Sequence, residues 1–279
     1  MEATKFVIEI LCTGNELLSG TIVNTNAQWI SGKITDAGGF VRRITVVGDE
    51  VNEISSAVKE SIERKPNWLI VSGGLGPTYD DKTLEGISTA LDLKLVLDNN
   101  AVEMLRKSYT SHGLTTNYEL NHTRLKMARI PAGSTPIQNP VGSAPSVLIE
   151  IANKTTKIIC LPGIPKELKA VFSENILPQI KKIISDFYIV HSYYETIGVS
   201  EAMLAPTLSS IIDTYPSDSI YVKTHPQGYT SDNKPRLRIQ IISKGKDRSK
   251  VQIRYSNILN TLTEKIQMLG GKINSIIKL

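Results

Sequence analysis

Apolar positions along the first third of the chain recur with two alternating periods. Short apolar runs at residues 6–11, 40–47 and 68–71 have the length and β-branched character of buried strands. Between them the spacing is helical. Residues 24–37 place Ala27, Ile30 and Ile34 on one face, residues 51–63 do so with Ile54, Val58 and Ile62, and residues 81–91 with Leu84, Ile87 and Leu91. Strand and helix in strict alternation imply a parallel sheet, because a parallel partner is reached only through a crossover. The expected fold is α/β, a three-layer, mostly parallel sheet with helices on both faces. In such sheets ligands bind outside the carboxyl ends of the strands.

Further along, residues 100–128 read as helical with a break near Gly113. Strands follow at 146–151 and 157–161, hinged at Asn153-Lys154, then helices at 166–172 and 178–184. Beyond residue 187 the rhythm changes. Strands at 188–197 and 237–242 and helices at 201–212 and 250–269 describe a small α+β domain. The polar, Gly- and Pro-bearing segment 224–235 reads as a loop between its strands. The expected division is 1–186 for the first domain and 187–279 for the second.

The chemistry concentrates at three predicted strand ends. Ser72-Gly73-Gly74-Leu75-Gly76-Pro77-Thr78 follows the third strand and runs through Asp80 and Asp81 into a helix start. Glycine lets backbone N–H groups approach an oxyanion, and a helix N-terminus adds unpaired donors. Two carboxylates beside such a cradle point to a divalent cation shared between protein and phosphate. Thr13-Gly14-Asn15-Glu16 and Gly48-Asp49 end the first and second strands, so Glu16 and Asp49 are expected at the same sheet edge.

The hydrophobic fraction of 41% over 279 residues is enough for one large or two smaller cores. No stretch approaches the ~18 apolar residues of a membrane span, and the N-terminus has no signal-peptide pattern. A soluble, cytoplasmic protein is expected. Cys12 and Cys160 each close an apolar run and read as inert, buried thiols. The net charge of +5 suits anionic small molecules. A dense basic stripe interleaved with aromatics is absent, so neither nucleic acid nor membrane is an expected partner. The four histidines, His112, His122, His191 and His225, lack metal-binding spacing.

Six separated segments taken together resemble one family. They are Gly14-Asn15-Glu16-Leu17-Leu18-Ser19-Gly20, Asn24-Thr25-Asn26, Val47-Gly48-Asp49, the Gly73 to Thr83 loop, residues 139–145 and residues 161–167. The set resembles the amino-terminal portion of the CinA (competence/damage-inducible) proteins, which carry the MoaB/Mog molybdopterin-binding fold. It spans about residues 5–180 and continues more weakly through Thr196-Ile197-Gly198-Val199-Ser200-Glu201. Family members with a nicotinamide-nucleotide amidohydrolase domain carry it after this region. The chain ends at Leu279, so deamidase activity is not expected. The resemblance implies metal-dependent hydrolysis of ADP-ribose to AMP and ribose 5-phosphate. Its Mog relatives instead transfer AMP to molybdopterin. It also implies a homodimer or higher homo-oligomer. The first motif usually reads Gly-Asp-Glu, whereas Asn15 stands here, which implies weaker metal affinity or reliance on Asp49, Asp80 and Asp81.

Each candidate has a structural and a functional reading. Asp80 and Asp81 are helix-start residues, with Thr78 and Asp81 at capping-box spacing, or they touch metal or phosphate. Asp49 caps the helix from Val51 or holds metal; Glu16 is a solvated turn residue or activates water. Among Asn24, Thr25 and Asn26 one caps a helix, and the others contact a nucleotide or pterin ring. Gly142, Ser143, Pro162 and Gly163 make tight turns or let a ligand lie against backbone. Glu167 reads as a helix-dipole partner. The expected site is therefore Asp81, Asp49 and Glu16 for catalysis and Asp49, Asp80 and Asp81 for Mg2+, Mn2+ or Co2+. Asn24, Thr25, Asn26, Ser72, Gly73, Gly74, Gly76, Pro77, Thr78, Gly142, Ser143, Pro162 and Gly163 would grip an ADP-ribose-like nucleotide or a pterin phosphate. A non-catalytic nucleotide-binding module is the alternative of another class.

Overall fold

The structure, a computed structural model, describes residues 6–111, 120–151, 156–184, 188–216 and 219–278. The predicted break at Gly113, the hinge at Asn153-Lys154 and the boundary between 186 and 187 lie outside these residues. The chain divides into two compact units: Met1–Thr35 with Gly39–Lys182, and Asp36–Gly38 with Ile183–Leu279.

The first unit begins with β1 (Val7–Thr13), a short helical turn α1 (Asn15–Leu18), α2 (Thr25–Ala37), β2 (Phe40–Val47), α3 (Val51–Glu63), β3 (Trp68–Ser72) and α4 (Thr83–Leu91). It continues through β4 (Leu95–Leu97), α5 (Asn99–Ser111), α6 (His122–Leu125), a 3-10 turn at Lys126–Ala128, β5 (Arg129–Pro131) and β6 (Thr135–Ile137). Then come β7 (Ser146–Glu150), β8 (Lys157–Leu161), α7 (Pro165–Val171), a π-helical turn at Phe172–Ile176 and α8 (Leu177–Ile184). The six-stranded sheet runs β2-β1-β3-β8-β7-β6. β2, β1, β3 and β8 are mutually parallel, and β7 and β6 add antiparallel.

Side-chain alternation explains the layering. In β1, Leu11 joins a core cluster with Leu69 and Val71 of β3, Ile54 and Val58 of α3 and Ile87 of α4. Burial of each such side chain stabilises the fold by about 2 kcal/mol. Ile8 and Ile10 point to the other face and are equally buried, as are Ala27, Ile30 and Ile34 of α2. A charge shares the first face: Glu9 is 2% exposed. Arg64 meets it through Nε at 3.0 Å and a terminal amine at 2.8 Å, Arg42 at 2.7 Å and the Ser61 hydroxyl at 2.8 Å.

In the second unit the order is β9 (Tyr188–Ile197), α9 (Glu201–Thr214), β10 (Ile220–Tyr229), β11 (Pro235–Gly245), α10 (Arg248–Met268) and β12 (Lys272–Lys278). The sheet runs β10-β11-β9-β12 with every pair antiparallel. This is the split β-α-β arrangement, β-α-β-β-α-β. Its core takes Tyr194, Ile239 and Ile241 from the sheet, Leu204 and Ile211 from α9, and Tyr255, Ile258, Leu262 and Ile266 from α10.

One expectation is corrected here. Residues 224–235 are not a loop: β10 runs to Tyr229 and β11 starts at Pro235. The hairpin closes over residues 230–234, where the Thr230 N–H donates to the Lys234 carbonyl at 2.9 Å and Asn233 supplies the left-handed position with φ 59°. Ladder bonds to β11 overrode the Gly, Pro and polar composition.

Candidate functional site

The parallel register brings the ends of β1, β2, β3 and β8 to one edge, and backbone bonds stitch them there. The Gly14 N–H donates to the Val47 carbonyl, and the Gly73 N–H to the Leu161 carbonyl, each at 3.1 Å. A cavity of about 650 Å³ opens at this edge, within the first unit. That volume lies in the range of small-molecule sites, roughly 300–1,000 Å³.

The glycine loop forms one wall. Gly73 and Gly74 have φ of 108° and 63°, which side-chain-bearing residues rarely adopt. A Cβ on Gly73 would lie 2.5 Å from the Thr13 carbonyl oxygen, and one on Gly74 would collide with Thr83 Oγ1. Thr83, fully buried, is the loop's anchor. Its hydroxyl donates to the Gly73 carbonyl at 2.9 Å, and Thr13 Oγ1 lies 2.9 Å away on its other side. With one proton on Thr83, the Thr13 hydroxyl is the donor of that second bond.

The acids come next. Thr78 Oγ1 lies 2.5 Å from both Asp80 Oδ1 and Asp81 Oδ2, and its single proton serves one at a time. The Thr78 N–H also donates to Asp81 Oδ2 at 2.8 Å, whereas Asp81 Oδ1 has no hydrogen-bond partner among the described residues. The Thr78 hydroxyl holds the Asp80 carboxyl below its ordinary pKa, helped by the backbone and by the charges of Lys126 and Lys82. Asp49 accepts the Asn15 N–H at 2.8 Å. Glu16 is exposed, and its carboxylate lies over Gly14.

Of the predicted residues, Glu16, Asn24, Thr25, Asn26, Asp49, Ser72, Gly73, Gly74, Gly76, Pro77, Asp80, Asp81, Ser143, Pro162 and Gly163 all line the one cavity. Asn24 is the helix cap, its Oδ1 accepting the Ala27 N–H at 3.1 Å. Asn26 reaches across the cleft: its amide donates to the Gly163 carbonyl at 2.7 Å and to Ser72 Oγ at 3.3 Å.

Four readings are corrected. Thr78 does not line this cavity; it organises the two aspartates and borders a neighbouring recess. Gly142 is covered by the Glu167 carboxylate, which a Cβ there would strike, so its lack of a side chain serves packing. The helix expected from Asp81 starts at Thr83, which makes Asp80 and Asp81 turn residues ahead of it. Asp49, Asp80 and Asp81 do not converge: no group of three or more His, Cys, Asp or Glu is placed to hold a metal among the described residues. Asp49 belongs to the β2 end and the other two to the Thr78 turn. The residues do fit a hard cation that takes one or two carboxylates from the protein and its other ligands from phosphate and water.

Residues missed by sequence reasoning are mostly supports. Besides Thr13 and Thr83, Asn139 builds the 139–144 turn. Its Oδ1 accepts the Gly142 N–H at 2.9 Å, and its amide donates to the Ala144 carbonyl at 3.1 Å and to Glu167 Oε2 at 2.7 Å. Asn139 opens one of the six family-like segments, but nothing local in the sequence shows that its amide meets Glu167. Lys126 is another: its Nζ donates to the Thr78 carbonyl at 2.5 Å.

Comparison with known proteins agrees with this architecture. Residues 9–182 match the family described as "Probable molybdopterin binding domain". The chain belongs to this family. Its mostly parallel sheet flanked by helices is the MoaB/Mog-like fold. A solved structure of the protein CinA, of unknown function, from Thermoplasma acidophilum is 38% identical, with a TM-score of 0.56 over 64% of this chain and 98% of that one. A protein of Sulfurisphaera tokodaii is 41% identical over 265 residues, covering 95% of this chain and 97% of its own length. One of Metallosphaera sedula is 38% identical over 271 residues, covering 97% and 98%. These two likenesses run through both units.

Proposed function

We propose that this molybdopterin-binding-family protein is a metal-dependent hydrolase of a nucleoside diphosphate sugar, cleaving ADP-ribose to AMP and ribose 5-phosphate. One observation carries the reading: a single cavity is walled both by glycine backbone suited to a diphosphate and by Glu16, Asp49, Asp80 and Asp81. The backbone of residues 73–76 orients the diphosphate. In the cleavage a water oxygen bonds to one phosphorus, the bridging P–O bond breaks, and the bridging oxygen leaves with the other phosphate. Exposed Glu16 accepts the water's proton. Asp81, with Asp80, would hold Mg2+, Mn2+ or Co2+, which when bound offsets charge on the phosphoryl oxygens. Asn24, Asn26 and Ser143 line the part of the cavity left for the nucleoside.

The family description favours a second reading, in which the same cradle holds ATP and a pterin phosphate takes the adenylyl group. Purified protein incubated with ADP-ribose, and separately with ATP and molybdopterin, across the three metals separates the two by chromatography. AMP from ADP-ribose supports hydrolysis. Adenylylated pterin without AMP from ADP-ribose overturns it in favour of transfer, and neither product, with nucleotide binding retained, leaves a binding module.

A further inference from the structure

A recess of about 380 Å³ lies behind the glycine loop and shares Gly74 to Pro77 and Asp81 with the main cavity as a common wall. Its chemistry is different. Leu84 and Leu95 give it an apolar floor, Tyr79 stands at its edge 87% exposed, and His122, Lys126 and Arg129 supply basic groups. Local geometry puts those three together. His122 opens α6, and Lys126 follows four residues later, one helical turn on. Lys126 opens the 3-10 turn that ends at Ala128, and Arg129 follows at once in extended backbone as the first residue of β5. All three basic residues line the recess.

Their hydrogen-bonding capacity is largely unspent. Lys126 gives one of its three N–H groups to the Thr78 carbonyl. Arg129 is exposed and forms no ion pair among the described residues. Two carboxylates also border the recess. Asp81 is engaged by Thr78, Glu85 is half-buried in the first turn of α4, and the nearby Asp80 carboxylate feels the charge of Lys126. A planar guanidinium beside an ammonium is matched to a phosphate monoester.

We propose that this recess is a second phosphate subsite that takes a phosphorylated pentose, the half of the substrate that departs as ribose 5-phosphate. The assignment rests on the hydrolase reading for the identity of the sugar and on the recess itself for the phosphate. The shared glycine wall would then join two subsites: the nucleoside and its phosphate in the larger cavity and the sugar with its phosphate in the smaller, with the scissile P–O–P bridge between them.

Calorimetric titration of ribose 5-phosphate into the whole protein tests this, with AMP, ribose and inorganic phosphate titrated in parallel. Wild-type protein should bind ribose 5-phosphate more tightly than either ribose or inorganic phosphate. Arg129→Ala should weaken ribose 5-phosphate about tenfold and leave AMP unchanged, and Arg129→Lys should recover part of the loss. Equal affinity in wild type and Arg129→Ala overturns the subsite, as does an equal loss for AMP. Binding of inorganic phosphate as tight as the sugar phosphate overturns the pentose assignment. The two readings fail separately. Selective loss in Arg129→Ala without AMP release from ADP-ribose keeps the subsite and removes the hydrolase, whereas AMP release with unchanged ribose 5-phosphate affinity does the reverse.

Discussion

At Thr78 one hydroxyl proton faces two carboxyl oxygens at 2.5 Å, and the spare acceptor capacity is what a cation can use. Asp81 is the more consequential of the pair because it also lies against Gly76, where an added Cβ would come within 2.6 Å of its Oδ2. Asp81→Asn keeps the shape and removes the charge. AMP release should fall by about 100-fold or more, the several kcal/mol that cation-borne stabilisation is worth, with an unchanged circular dichroism spectrum. Wild-type turnover in this variant would remove Asp81 from the site. Thr83 acts by position. Thr83→Val strands the Gly73 carbonyl and the Thr13 hydroxyl in a buried place, at a cost of about 1–3 kcal/mol in urea unfolding. Thr83→Ser keeps the hydroxyl and should cost about 0.8 kcal/mol, one methyl's worth. Cys12 and Cys160 are both buried, and burial pushes both thiols up in pKa. A thiol reagent should label neither in folded protein at pH 7 and both after denaturation.

Among the elements, those that build the site were the most legible in the sequence. Ile54, Val58 and Ile62 mark α3 over the residues observed, and Trp68 with the apolar run after it marks β3 to within a residue of Ser72. Three glycines after an apolar strand point to exposed backbone at a strand end, and the loop and its acids do line the cavity. The supports were not legible. Thr13, Thr83 and Asn139 act through partners as many as 70 residues distant, and no local pattern announces such a contact. β10 was hidden because ladder pairing outweighs composition, and β4 to β6 because three-residue strands carry too few alternations to count. Glu9 was also hidden, since nothing local in β1 shows that Arg42 and Arg64 converge on it. Burial raises its pKa, but the bonds from Arg64, Arg42 and Ser61 more than reverse this and leave it below the usual carboxylate value. Because the folded pKa is lowered, the stabilisation is fully present above the unfolded value, about 4.3. It is lost as pH falls through the lower folded value. Glu9→Gln should therefore cost about 2–3 kcal/mol at pH 7, discounted for the partly exposed arginines. The gap to wild type should narrow below pH 4 in urea titrations, and a gap independent of pH would contradict the assignment.

For the molecule as a whole, the family and its α/β fold follow from motifs spread over the first unit, and the relatives extend the likeness through the second. Substrate choice was less legible, because hydrolysis and adenylyl transfer ask for the same backbone cradle and the same acids. They differ in the acceptor, water or pterin phosphate, and an acceptor leaves its mark in cavity shape more than in motif. No helix among the described residues is long and apolar enough to cross a membrane. The most direct measurement is a crystal structure of the protein with a non-hydrolysable ADP-ribose analogue and Mg2+. The expected result places the diphosphate against the backbone of residues 73–76, with the cation between it and Asp81. A nucleotide bound with its phosphates away from Gly74, or a cation distant from Asp81, would contradict it.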